Sequence, residues 1–412
     1  MTQKNKINNF KSLAKKINLP LRELNMISES IFKGGGNLKI VGGGTRDIIL
    51  KKKISSDPDL VCDLIIQDVI KCLKKDSIKY VKTGFKYGCI TIFINNVLFE
   101  ITSLRRDIEE DGRWTKIKHT KDWFEDASRR DFTINAIYCD LNGNLFDPLL
   151  GIKDLKNKKV KFIGNCAKRI EEDYLRILRF FRFSLIYSNK FNEKDLKNCI
   201  KYKDKIRKLS YERRISEFKK IIVLRGFEKK SEELIKTKVF DHVFEKKLYL
   251  KNLRKFLSLE NKLNLVDVDR RIKFFLRGKK INKNDLFFKK ISKALQKRII
   301  YKVKFKKNYN SSDIIEKLFY HGTTNVLDQL LFDASDGKVN ISKLKKIITL
   351  VNGWEIKKLP VNGNDIINAG VKRKILIGNF IKKIEIWWVR KMFKPSKKDC
   401  LNYFKKYLLP RG

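Results

Sequence analysis

Leu38-Lys39-Ile40-Val41-Gly42-Gly43-Gly44-Thr45-Arg46-Asp47 (38–47) sets the fold class of this chain. Four residues of strand character run into three glycines, and Arg46 to Lys51 then begin a helix. Glycines at such a bend let backbone N–H groups approach a phosphate with no Cβ in the way, the helix that follows presents its positive end, and Arg46 adds a fixed charge. Taken alone, the same run also serves as a simple tight turn.

Around it lie further strand candidates, each β-branched or aromatic and bounded by turn formers: 59–65, 80–83, 88–94, 97–103, 136–139 and 160–163. Asn95-Asn96 reads as a hairpin turn between two of them. Upstream, residues 7–33 carry apolar side chains at helical spacing and end at Gly34-Gly35-Gly36. From about residue 166 the strand signals stop and helical periodicity dominates, which places a boundary between an α+β head and an all-helical remainder.

Size and charge bound the rest. At 412 residues and 42% hydrophobic composition the chain exceeds what one core organises, so two or more domains are expected. A formal net charge of +49 favours a polyanionic partner, RNA or DNA, although lysines spread along the helices of the C-terminal half also read as solvated decoration. The seven cysteines are scattered singly with no C-x-x-C pair, which argues against structural zinc. Met1-Thr2-Gln3-Lys4 opens no apolar signal-peptide core and no run approaches a membrane span, so a reducing, cytoplasmic setting is expected.

Asp57 and Asp59 are two residues apart, so an extended backbone puts both carboxylates on one face, where two hard oxygen donors can hold magnesium. Pro58 between them suggests a strand edge or start. A lone D-x-D is also a common surface feature. Glu100, inside the otherwise apolar Leu98-Phe99-Glu100-Ile101, is costly to bury without a partner and reads as a third carboxylate beside the metals. In Arg129-Arg130-Asp131-Phe132-Thr133-Ile134-Asn135, two arginines, a carboxylate and an amide can grip phosphate and ribose hydroxyls, or else form an exposed salt-bridge cluster. At helical spacing Arg176, Arg179 and Arg182 form a slowly winding stripe opposite Tyr174, Ile177, Leu178 and Phe181. An arginine fork and an aspartate acceptor can imitate base-pairing edges, so Asp173 and Arg176 could select a base with Arg179 and Arg182 facing phosphate; a solvated stripe is the other reading.

Together VGGGTRD (41–47), DPD (57–59), FEITSLRRD (99–107), DGRW (111–114), EDASRRDFTINAIYCD (125–140), DPLLGIKDL (147–155) and EEDYLRILRFFRF (171–183) resemble, in order and spacing, the class II tRNA nucleotidyltransferase and poly(A) polymerase family, most of all its bacterial CCA-adding members. The similarity is dense over 37–225 and weaker to the end. It implies an α+β nucleotidyltransferase head with a small mixed β-sheet, followed by all-α neck, body and tail domains: an N-terminal helical segment (1–36), a catalytic head (37–165), a helical neck with the nucleotide-selecting helix (166–225) and a tRNA-binding body and tail (226–412). The implied roles are Mg2+ binding and catalysis by Asp57 and Asp59, to which the residue reading above adds Glu100; nucleotide contact by Gly43, Arg46 and Arg130; base templating for CTP and ATP by Asp173 and Arg176; and completion of the pocket by Arg179 and Arg182. The implied activity is addition of CCA to the 3′ end of tRNA, with a poly(A) polymerase, a partial CC- or A-adding enzyme and, more remotely, a non-catalytic RNA-binding protein as alternatives. Gly44-Thr45 replaces the commoner Ala-Val of the glycine motif. His119, His242 and His321 form no phosphohydrolase-type cluster, so no accessory hydrolase domain is expected.

Overall fold

The computed structural model describes residues 5–54, 57–111, 114–306, 308–371 and 374–409; Met1–Lys4, and Gly112 and Arg113 of the DGRW motif, lie outside them. The chain divides into two compact units, Met1–Lys247 and Leu248–Gly412.

The first unit is built on a mixed sheet. Its strands are β1 (Asn5–Lys6), β2 (Leu38–Val41), β3 (Asp59–Cys62), β4 (Lys79–Gly84), β5 (Cys89–Ile94), β6 (Val97–Ser103), β9 (Tyr138–Cys139) and β10 (Asn144–Phe146), while β7 (Arg105–Asp111) and β8 (Trp114–His119) pair separately as a ribbon. The order across the sheet is β1-β10-β9-β2-β3-β6-β5-β4. β3 and β6 run parallel, and the other pairings are antiparallel. Consecutive residues of a strand face opposite sides. Ile40 and Leu60 therefore enter one apolar core, and their neighbours Val41 and Val61 enter a second on the reverse face. Helices α1 (Phe10–Lys16), α2 (Leu21–Lys33) and α4 (Ile66–Lys75) cover the first face, so the N-terminal helices share one core with the sheet.

Local chemistry sets the turns. Asn95 and Asn96 adopt φ 50° and 64°, the left-handed pair that a two-residue hairpin requires and asparagine tolerates. Other expected strands are shorter. The 59–65 run stops at Cys62, the 136–139 run shrinks to Tyr138–Cys139 because Thr133–Asn135 closes a 3-10 turn, and 160–163 contributes a single bridge between Phe132 and Phe162. The β7–β8 ribbon carried no strand signal, since Arg-Arg-Asp-Ile-Glu-Glu-Asp shows neither alternation nor a β-branched run. Beyond residue 165 the described residues are helical or irregular. The second unit holds helices from Leu253–Lys262 to Lys397–Tyr407, including Ser311–Ser335, which kinks at Gly322 with φ 73°.

One buried carboxylate ties the sheet to the loop that later lines the site. α5 (Trp123–Ser128) is capped by Asp122, whose Oδ1 accepts the Phe124 N–H at 2.7 Å. Asp126 on that helix is fully buried. It accepts from Arg129 Nε and Nη2 at 2.9 and 2.6 Å, from Arg130 Nε and Nη2 at 3.1 and 2.9 Å, and from the Tyr138 hydroxyl at 2.8 Å. Burial pushes its carboxyl up, but Arg130, Arg129 and the tyrosine outweigh this and hold it down at about 2, against an ordinary 3.8. A pKa depressed by folding adds stability that is present above the unfolded value and disappears as pH falls through the folded one. Asp126→Asn is expected to cost about 3 kcal/mol at pH 7, because two arginines lose their buried partner. In urea titrations the gap to wild type narrows by about 2 kcal/mol between pH 4 and pH 2; a gap constant with pH would exclude this role.

Candidate active site

The bend after β2 is built for close approach. Gly42 has φ 67° and ψ −124°, a region open to glycine, and a Cβ there would lie 3.1 Å from Asp59 Oδ2. A Cβ on Gly44 already lies near Ile40 Cγ2 and Pro58, so any larger side chain would drive into β2. Thr45 Oγ1 donates to the Ile40 carbonyl at 2.8 Å and closes the turn into α3 (Gly43–Ile49). Threonine therefore serves this position in place of the commoner valine.

Sheet register then brings acids to the bend. Asp59 opens β3 opposite Val41, the residue before Gly42, and on its other side stands level with Glu100 of β6. Pro58 is buried whereas Asp57 and Asp59 are exposed, so the alternation turns both carboxylates outward. The surrounding protein first, and Glu100 second, raise the pKa of Asp59, against the pull of Arg130 and Arg46. Glu100 is exposed and accepts from Cys89 Sγ at 3.1 Å. The burial cost that singled it out in the sequence is thus absent: it sits on an open sheet face. Among the described residues no three His, Cys, Asp or Glu side chains gather to hold an ion. Two neighbouring carboxylates still supply the hard oxygen donors a small divalent cation takes alongside water and phosphate.

Opposite the acids stands a wall of arginines, each fixed by a partner. Arg46 is buried, donates to Asn135 Oδ1, and lies 5.1 and 5.0 Å from the Phe183 and Tyr187 ring centroids. Asn135 Nδ2 donates to Asp131 Oδ1 at 2.7 Å, and Asp131 Oδ2 accepts from Arg179 Nε at 2.6 Å. Burial raises the Asp131 carboxyl, but Arg179 and Asn135 bring it below the usual aspartate value.

α7 (Cys166–Glu172) ends at Asp173, whose extended backbone separates it from α8 (Leu175–Tyr187). Asp173 Oδ1 accepts the Leu175 N–H at 3.0 Å, and Oδ2 accepts Arg213 Nη2 at 2.7 Å. Arg176 pairs with Glu172 and donates to the Arg169 carbonyl at 2.9 Å, while Arg182 pairs with Glu217. The side chains of Arg176, Arg179 and Arg182 are 13, 33 and 18% exposed, which is the lining of a cleft and not a solvated stripe. Ile177, Leu178 and Phe181 are buried on the other side.

A cavity of about 450 Å3 collects Gly43, Arg46, Asp59, Arg130, Asp173, Arg176, Arg179 and Arg182. Of the ten residues singled out in the sequence, Asp57 and Glu100 are outside its lining. Five participants were missed: Phe183, against which Arg46, Arg179 and Arg182 pack, and the positioning residues Asp126, Tyr138, Arg213 and Glu217. Phe183 follows Arg182 directly and was hidden in the apolar run; the other four form their pairs across 12 to 40 residues.

Residues 38–161 match the poly A polymerase head domain family. The chain is 28% identical over 410 residues to the human mitochondrial CCA tRNA nucleotidyltransferase 1, spanning 93% of this chain and 90% of that protein. In fold it is similar to the Bacillus stearothermophilus CCA-adding enzyme in complex with CTP, with a TM-score of 0.70 and 19% identity over 93% of this chain and 96% of the other. It is also similar to the Thermotoga maritima CCA-adding enzyme complexed with tRNA, with a TM-score of 0.67 and 18% identity over 98% of both chains. Residues 38–161 thus carry the poly A polymerase head domain, and the chain as a whole is similar in sequence and in fold to CCA-adding enzymes.

Proposed function

We propose that this protein adds CCA, from CTP and ATP, to the 3′ end of tRNA with no nucleic-acid template. One observation carries the reading: a single cavity holds the glycine bend, the Asp59 carboxylate and the Asp173–Arg176 pair of the helical ladder. A triphosphate cradle, a metal-binding acid and a polar edge for the base thus face one space. The names borne by the human relative and by the two solved structures agree with it.

Asp57 and Asp59 would hold Mg2+, with Glu100 alongside. Such an ion, when bound, activates the attacking hydroxyl and neutralises charge on the leaving pyrophosphate. The chain's own residues do the rest. Gly43, Arg46 and Arg130 clasp the triphosphate, and Arg179 and Arg182 complete the pocket. Asp173 accepts from, and Arg176 donates to, the edge of the incoming base; Arg213, bonded to Asp173, keeps that acceptor aimed. Residues 37–165 act as the head behind the helical segment 1–36, 166–225 as the neck, and 226–412 as body and tail, which grip tRNA through phosphate contacts. Seven buried free thiols suit a reducing, cytoplasmic compartment. Among the described residues no helix is long and apolar enough to cross a membrane.

With a tRNA ending before CCA and labelled CTP and ATP, the product is expected to end in CCA on sequencing; long A-tracts made without CTP would identify a poly(A) polymerase instead. Asp59→Ala is expected to lower incorporation by ~10^3-fold or more, about 4 kcal/mol of transition-state stabilisation, while tRNA affinity in a filter assay stays within a factor of two. Full turnover in that variant would remove the mechanism. Arg213→Ala frees Asp173 and is expected to cut discrimination against GTP and UTP about tenfold, the worth of one charge-assisted hydrogen bond; unchanged selectivity in competition assays would show that Arg213 serves the fold alone.

A further inference from the structure

The second unit contains a cavity of about 490 Å3 that the catalytic reading does not use. Its lining brings together Lys273, Arg277, Lys279, Lys280 and Lys302 and includes no carboxylate. Lys279, Lys280 and Lys302 have no ion-pair partner among the described residues, and the last two are exposed. Arg277 is fixed in place: Nη2 donates to Asp336 Oδ2 at 2.6 Å, and the guanidinium lies 5.0, 5.2 and 4.8 Å from the centroids of Tyr249, Phe274 and Phe332. Its Nη1 is shielded from water and has no hydrogen-bond partner among the described residues. A guanidinium held in place on the lining of a carboxylate-free pocket suits an anion.

The rest of the lining is mainly apolar, with Leu276, Ile281, Ile299 and Ile300 beside the Tyr301 ring and one amide, Gln329. Tyr301 is 36% exposed, and its hydroxyl is held by His321 Nδ1 at 2.9 Å, so the ring is steadied while part of it stays open to a ligand. A bare phosphate would leave this wall unused, and an acyl chain has no use for so many cations. Phosphate joined to a flat apolar ring uses both, which is the chemistry of a nucleotide.

We infer that this cavity captures one unpaired nucleotide of the bound RNA, its base stacked on Tyr301 and its phosphate held by Arg277, Lys279 and Lys302. The base must be unpaired, because in a duplex both of its faces are already stacked. The inference rests on the RNA-binding side of the proposed function and adds a stacking site to the general phosphate grip.

The test uses the full chain, tRNA lacking CCA, and free AMP as the mononucleotide probe. Tyr301→Ala is expected to weaken tRNA binding about tenfold with the salt slope unchanged, and Tyr301→Phe to restore most of it. Lys279→Gln/Lys302→Gln is expected to weaken binding and to reduce the slope of log affinity against log salt by about 2. Unchanged affinity and slope in both variants would overturn the inference, as would loss of AMP binding with tRNA affinity intact. Incorporation by the wild type separates the two claims: a wild type that transfers neither CMP nor AMP sinks the catalytic reading, while weakened tRNA binding by the variants still supports the cavity.

Discussion

Crowding cations is the constraint on which the cleft depends. Arg46, Arg130, Arg176, Arg179 and Arg182 line one cavity in a chain whose net charge is already +49. Unbalanced guanidinium groups at such spacing would repel one another and would not surrender their hydration. The fold answers with an acid for four of them: Asp126 for Arg130, Glu172 for Arg176, Asp131 for Arg179 and Glu217 for Arg182. Asp126, Asp131 and Glu217 are themselves buried, where the attraction is least screened. Arg46, which forms no ion pair among the described residues, uses an amide and two aromatic rings.

The same logic explains why sheet and helices act together. The parallel pairing of β3 with β6 sets Asp59 level with Glu100, and the antiparallel pairing of β2 with β3 delivers the glycine bend to that level. Arg179 reaches from α8 to Asp131 in the segment after α5, so the ladder is bonded to the head and not merely laid against it. Acids and arginines therefore keep their separation through the rigidity of two elements joined at one ion pair.

Local features were legible in the sequence. Strand, glycine bend and helix at 38–49, the Asn95-Asn96 hairpin and the apolar side of α8 each follow from backbone preference or periodicity within a dozen residues. So does the outward turn of Asp57 and Asp59, since period two depends on nothing distant. Partnership was not legible. No short-range pattern shows that Arg213 will meet Asp173, 40 residues away, or Glu217 meet Arg182 across 35. Glu100 shows the opposite failure: an acid among apolar residues looked costly, yet alternation places it on the open side of β6. The β7–β8 ribbon escaped because its pairing is not written in hydrophobic alternation.

Phe183 gives the cleft a property that ion pairs alone would not. Its ring is 4% exposed, with the guanidinium groups of Arg46, Arg179 and Arg182 at 5.1, 5.3 and 4.3 Å from its centroid. An incompressible spacer of this kind cannot be drawn into the solvent or exchanged for a passing anion. The three side chains therefore keep their posture, and any anion that enters the cleft meets a socket that has already met its ordering entropy during folding.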